Sequence, residues 1–78
     1  MNERTVRHSF AKRFSAAMRA RDLTAAAIVE NSPVKLSFAN INSWKAGKCL
    51  PKAYRMIVLA QMLGVSVDWL LGGGDDEG

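Results

Sequence analysis

The side chains of this sequence that can do chemistry are mainly its cations, and they are gathered in one part of the chain. All eleven Lys and Arg residues lie between Arg4 and Arg55, a stretch with only three acids, and the other four acids lie beyond Met56. A basic body with a short acidic end is typical of a protein that binds a polyanion. A basic surface that is merely solvated is the alternative interpretation.

Residue types needed for catalysis or metal binding are scarce. The chain has one histidine, His8, and one cysteine, Cys49, so neither an internal disulfide nor a paired-cysteine metal site can be drawn. No nucleophile is paired with a base, and no glycine-rich phosphate loop follows a strand pattern. We therefore expect a protein that is not an enzyme and that uses no cofactor, metal or small-molecule substrate.

Length and composition predict one small globular domain. The 78 residues are 49% hydrophobic and 23% charged, and no apolar run approaches the roughly 20 residues needed to span a bilayer. The basic N-terminus is not followed by an apolar stretch of signal-peptide length. We expect a cytoplasmic protein with no membrane partner, a domain over residues 1–73, and a disordered acidic tail over residues 74–78.

Apolar periodicity predicts helices and no strands. The first helix carries five apolar residues at helical spacing, namely Val6, Phe10, Phe14, Ala17 and Met18. Thr5 is its candidate N-cap, and it should end near Arg21–Asp22. Thr24 can cap a second helix over residues 25–31, because Pro33 disfavours helical geometry at the residue before it.

Two positions are open for the start of the third helix. Ser37 can cap a helix from Phe38 to about Lys45, which is the start that we favour. The competing start has Ser32 as the N-cap and Pro33 at the first helical position.

Glycine, proline and serine residues mark the ends of the last helices. Gly47 is expected just beyond the third helix, in the left-handed conformation that glycine adopts cheaply. Pro51 should stand at or near the first position of the fourth helix, and Gly64 should end it. Ser66 can cap a fifth helix with Asp68 in its first turn.

The last two helices also supply residues to the expected core. The apolar set of the fourth helix is Ala53, Met56, Ile57, Leu59, Ala60 and Leu63, and the residues expected to cover the core are Trp69, Leu70 and Leu71.

These positions carry a family resemblance. Ile41, Trp44, Gly47, Pro51, Leu59-Ala60, Leu63-Gly64-Val65-Ser66 and Asp68-Trp69-Leu70-Leu71 resemble the second half of the lambda-repressor and Cro-like helix-turn-helix family. The likeness extends more weakly back to Phe10, and Leu23-Thr24 looks like the start of the family's second helix. It implies an all-α, compact five-helix lambda-repressor-like domain. The turn between Asn31 and Ser37 is longer than in the familiar pattern.

The resemblance implies a sequence-specific DNA-binding regulator of the phage Cro or repressor kind, which is encoded by a bacterium or a phage and is associated with the nucleoid through DNA binding. The third helix would lie in the major groove while the second crosses the backbone. Base contacts then fall to Phe38, Ala39, Asn40 and Ser43. Asn40 can pair with N6 and N7 of adenine, Ser43 can donate or accept, and Phe38 or Ala39 can touch a thymine methyl group. Alternatively, Phe38 fills the core of the longer turn.

The same alignment assigns backbone contacts, which hold register without reading sequence. They are Thr24, Ala25, Lys35, Ser37, Asn42, Lys45, Lys48 and Lys52, with Arg19, Arg21 and the basic N-terminal segment as secondary candidates. Ala25 can act only through its amide at the helix N-terminus.

Besides double-stranded DNA, the expected partner is a second copy of the chain on a near-palindromic operator, with half-sites about 34 Å apart. Family members of this size usually pair through the last helix or the surface beside it, which here offers Val67, Leu70 and Leu71. If these residues only close the core, the dimer forms elsewhere or only on DNA.

A function of a different class is also open, that of an antitoxin-like protein-interaction module. It would use the exposed parts of helices 4 and 5, where Tyr54, Met56, Met62 and Trp69 would supply adaptable apolar surface.

Overall fold

The computed structural model describes residues 2–73, whose backbone forms five helices and no strand. They are α1 (Glu3–Ala20), α2 (Ala25–Asn31), α3 (Phe38–Lys45), α4 (Ala53–Leu63) and α5 (Val67–Leu70). The predicted all-α class is confirmed for this range, and none of its helices is long and apolar enough to cross a membrane. The acidic tail predicted for residues 74–78 lies outside the described residues.

Side-chain caps start α2, α3 and α5 where the sequence predicts them. The cap oxygens accept the amide three residues on, Thr24 from Ala27 at 3.1 Å, Ser37 from Asn40 at 3.1 Å and Ser66 from Trp69 at 3.0 Å. Each bond satisfies one of the first amides of a helix, which have no partner inside it.

The turn between α2 and α3 decides between the two predicted starts of α3. Ser32 is the C-cap of α2, and its Oγ accepts the Val34 amide at 3.1 Å and donates to the Val34 carbonyl at 2.6 Å. The start with Ser32 as N-cap is therefore wrong. Leu36 anchors the turn in the core while Phe38 is 54% exposed, so the interpretation that Phe38 fills the core is wrong too.

Two other predicted helix starts need correction. Asn2 caps α1, because its Oδ1 accepts the Thr5 amide at 2.9 Å, and Thr5 lies inside the helix. Asparagine outranks threonine as a cap, and one turn more of helix is formed. In α4 the N-cap is Lys52, without a side-chain cap bond. Pro51 precedes the helix and is buried instead of occupying its first position.

Gly47 and Gly64 close α3 and α4 as predicted, with φ of +75° and +68°. The amide of Lys48 bonds to the Ser43 carbonyl at 3.0 Å, and that of Val65 bonds to Ala60 at the same distance. These bonds satisfy carbonyls that the end of each helix would leave unpaired.

A single core fixes the orientation of α3. α1 packs against α3 and α5, α2 packs against α3, and α4 packs against α5. The largest fully buried side chains are Trp44, Phe10, Phe14, Ile28, Ile41, Leu59, Leu63 and Leu70. The Phe10 and Phe14 rings stack at 5.2 Å, and Trp44 meets Phe14 edge-on at 6.3 Å. Because Trp44 is locked on α1 in this way, the opposite face of α3 must point outward.

Helix 4 buries only part of its predicted apolar set. Ala53 and Ile57 belong to the predicted apolar set of helix 4, but both are exposed, whereas Met56 is buried. The buried positions 56, 59, 60 and 63 form one narrow stripe, and Ile57 lies outside it. Leu70 is fully buried, so it closes the core and is not available to a dimer interface.

Candidate nucleic-acid interface

The two faces of α3 differ completely in burial. Ile41 and Trp44 are 0% and 2% exposed on the inner face. Of the predicted base-contacting residues, Phe38 and Ala39 are exposed, and Asn40 and Ser43 are half-buried at the sides of the helix. The structure thus brings these four residues together around the outward half of one helix.

Asn40 has a structural task as well. Its Oδ1 accepts the Ser37 amide at 3.1 Å, while Ser37 Oγ accepts the Asn40 amide at 3.1 Å. This reciprocal pair is a capping box with asparagine in the place usually taken by Glu or Gln. The sequence reasoning missed it, although the signal, a polar amide three residues after a serine cap, was present. The amide nitrogen Nδ2 remains a hydrogen-bond donor.

A surface cleft joins three of the predicted backbone-contacting residues. Thr24, Ala25 and Lys45 line it together with Arg19 from the end of α1. Lys45 comes from the last turn of α3 and the two small residues from the start of α2. The cleft therefore brings together two cationic residues and the first residues of α2, whose outermost amides lack partners inside the helix.

The remaining predicted contacts surround α3. Ser37 and Asn42 are exposed on the helix, Lys35 is exposed in the turn before it, and Lys48 and Lys52 are exposed in the loop after it. These lysines lie in a stretch of sequence that has no acid between Glu30 and Asp68.

Among residues 2–73, no carboxylate forms an ion pair with these lysines. Within residues 2–73 the ion pair present is Arg7 with Glu3, at 3.1 Å on α1. The lysines around α3 therefore have no carboxylate partner in the described part of the chain. An uncompensated group of like charges raises the local concentration of a polyanion.

Three arginines, by contrast, are occupied within the fold. Arg7 Nε donates to the Gly47 carbonyl at 3.2 Å. Arg13 donates to the carbonyls of Trp69 and Gly73 at 2.7 Å and 3.1 Å and lies over the Trp69 ring. Arg21, a secondary candidate from the sequence, lies against Gly64 at the end of α4 and not in the cleft.

Comparisons of this chain with protein-family models, with curated proteins and with solved structures found no match. The functional argument therefore rests on the chemistry and geometry of the α3 surface.

Proposed function

We propose that this protein is a sequence-specific DNA-binding transcriptional regulator of the Cro or repressor kind, which inserts α3 into the major groove. The observation that carries the proposal is the outward face of α3. It presents a ring, a methyl group, an amide and a hydroxyl among surrounding cations that have no carboxylate partner in residues 2–73. Double-stranded DNA offers the matching chemistry, because phosphates flank a groove lined with donors, acceptors and methyl groups.

The dimensions of α3 suit that groove. Its eight residues span about 12 Å at 1.5 Å per residue. The major groove is about 12 Å wide and admits one helix. Because α3 ends at Lys45, two residues before Gly47, and is held from beneath by Trp44, its outer face stands clear of the other helices.

The cleft at the start of α2 supports the same docking. Arg19 and Lys45 line one cleft with Thr24 and Ala25, so a phosphate group in that cleft would meet two cations near the start of α2. Contacts of this kind hold a protein in register on the duplex and leave sequence reading to α3.

A single α3 reaches few base pairs, and we propose that two copies bind a near-palindromic operator, with repression following from occupation of a promoter. Leu70 is buried, and Val67 and Leu71 are partly buried against the core, which favours a dimer that assembles on DNA. Sedimentation of the protein should give a monomer, and addition of the operator should give two copies per duplex.

Selection of bound duplexes from random DNA, followed by anisotropy titrations at several salt concentrations, tests the proposal. We expect the selected duplex to bind at least about 10³-fold more tightly than a scrambled duplex, with a steep negative dependence on salt. Equal affinity for both duplexes at every salt concentration would contradict sequence-specific recognition.

A second candidate function is supported by a different surface. Tyr54 and Ile57 are about half exposed and lie three residues apart on α4, so they form a small apolar face for a protein partner. Met56, which was predicted to contribute, is buried. Co-purification of a stoichiometric protein that is lost in a Tyr54→Ser, Ile57→Ser variant and kept in Phe38→Ala would favour this function over DNA binding.

A further inference from the structure

We propose that Phe38 reads the C5-methyl group of a thymine in each half-site, and that this contact is a main source of sequence preference. The inference rests on the proposed DNA-binding function and specifies which base the α3 surface recognises. It follows from two observations. The side-chain oxygen of Asn40 already accepts a hydrogen bond within the fold, and the exposed Phe38 ring lies among cations.

The capping box restricts what Asn40 can read. Pairing with adenine through both N6 and N7 requires the amide oxygen and nitrogen of asparagine to point at the base together. The Asn40 oxygen instead points back to the Ser37 amide, at 3.1 Å, and the Asn40 amide bonds to Ser37 Oγ. Asn40 thus offers the groove its donor group Nδ2 without the acceptor beside it, and a donor group alone distinguishes bases poorly.

Phe38 is the group on α3 with the largest exposed apolar area. The ring is 54% exposed at the first position of the helix, and it has no polar atom. The C5-methyl of thymine is the apolar group that the major groove displays. Ala39 carries only a methyl group of its own, and Ser43 is half-buried one turn further along.

The charges around Phe38 favour DNA over an apolar protein partner. Lys35 stands before the helix, and Lys45 and Lys48 stand at its far end, without a carboxylate between Glu30 and Asp68. An apolar ring framed by cations complements a methyl group framed by phosphates. Beside the exposed residues of α4, by comparison, Lys52 precedes the helix and the Arg55 guanidinium lies over the Tyr54 ring at 5.6 Å, so one of these two cations already contacts an aromatic ring of the fold.

The test replaces single thymines of the selected operator with deoxyuridine, which removes one methyl group and leaves base pairing intact. With the wild-type chain, one position per half-site should lose about fourfold in affinity, the factor for one buried carbon. With Phe38→Ala the thymine and deoxyuridine duplexes should bind equally. Ile57→Ala, which truncates a residue of similar exposure on α4, is the matched control and should keep the fourfold ratio.

Thermal unfolding of each variant checks that the fold is intact. If no thymine position responds while the operator is still preferred over scrambled DNA, the inference is overturned and the proposed function stands. If a position responds and still does so in Phe38→Ala, another residue reads the methyl group, and the inference is also overturned. If no duplex is preferred at all, the proposed function fails and the inference fails with it.

Discussion

The outer faces of α3 and α4 each expose a large apolar residue to solvent, but the surroundings differ. Phe38 on α3 is 54% exposed and Ile57 on α4 is 52% exposed. Around α3 lie a side-chain cap at Ser37 and lysines that have no carboxylate partner in residues 2–73, whereas α4 begins at Ala53 after Lys52, which makes no side-chain cap bond. Exposure of an apolar side chain therefore does not indicate a function by itself, and the polar groups around it distinguish the two faces.

The inner faces of the two helices differ in how many residues they bury, and here α4 has the larger number. α3 buries two residues, Ile41 and Trp44, and α4 buries four over eleven residues. We therefore assign more of the stability of the fold to α4 and DNA recognition to α3. Variants that separate stability from DNA affinity test this division.

The largest expected effect comes from the core of α4. Leu59→Ala removes a side chain that is fully buried and should lower the free energy of unfolding by about 2 to 5 kcal/mol. Urea denaturation followed by circular dichroism measures it. Ile57→Ala on the same helix should change the free energy of unfolding by less than about 0.5 kcal/mol; equal losses in the two variants would break the assignment.

Removing cations beside α3 should change binding without changing stability. Lys45→Gln with Lys48→Gln should lower the slope of log affinity against log salt by about 0.9 for each phosphate that the variant no longer neutralises. Lys12→Gln is the matched control, because Lys12 is exposed on α1, opposite the buried Phe10 and Phe14. A slope that falls equally in the control would place the DNA elsewhere on the molecule.

The serine N-caps of α3 and α5 make similar hydrogen bonds, so removing each in turn separates an effect on stability from an effect on DNA binding. Ser37→Ala and Ser66→Ala each remove one cap bond, at 3.1 Å and 3.0 Å, and each should lower the free energy of unfolding by about 1 kcal/mol. Only Ser37→Ala should also weaken operator binding in anisotropy titrations, because it leaves the Asn40 backbone amide without its cap and loosens the first turn of α3. Equal binding by both variants would argue that α3 does not touch DNA.

The smallest expected effect is at Asp22, which has φ of +55° between α1 and α2. Asp22→Gly should raise the free energy of unfolding by about 0.5 kcal/mol, since glycine avoids the Cβ clash at some cost in entropy. Asp22→Asn removes the same charge and keeps a side chain, so it should leave the thermal midpoint nearly unchanged. A larger gain from asparagine than from glycine would mean that charge, not backbone strain, governs this position.

Helix ends were predicted well where one residue decides them. Ser37, Gly47, Gly64 and Ser66 cap or close helices as predicted, because each acts on a backbone group a few residues away. Pro51 lies two residues before the first position of α4 and is buried there, which depends on tertiary packing that local rules do not contain.

The candidate site was predictable where it depends on residues that are close in the sequence. The alternation of buried Ile41 and Trp44 with exposed Phe38 and Ala39 follows from helical periodicity. The cleft that joins Arg19 to Lys45 brings two distant segments together, and no spacing in the sequence predicts it.

The most direct test of the central claim, that the outer face of α3 enters the major groove, is an NMR titration of the labelled chain with the selected operator. We expect the largest amide shift changes at residues 24–25 and 37–45, with little change at Tyr54 and Ile57. Changes centred on α4, or the same pattern with scrambled DNA at equal concentration, would contradict the account.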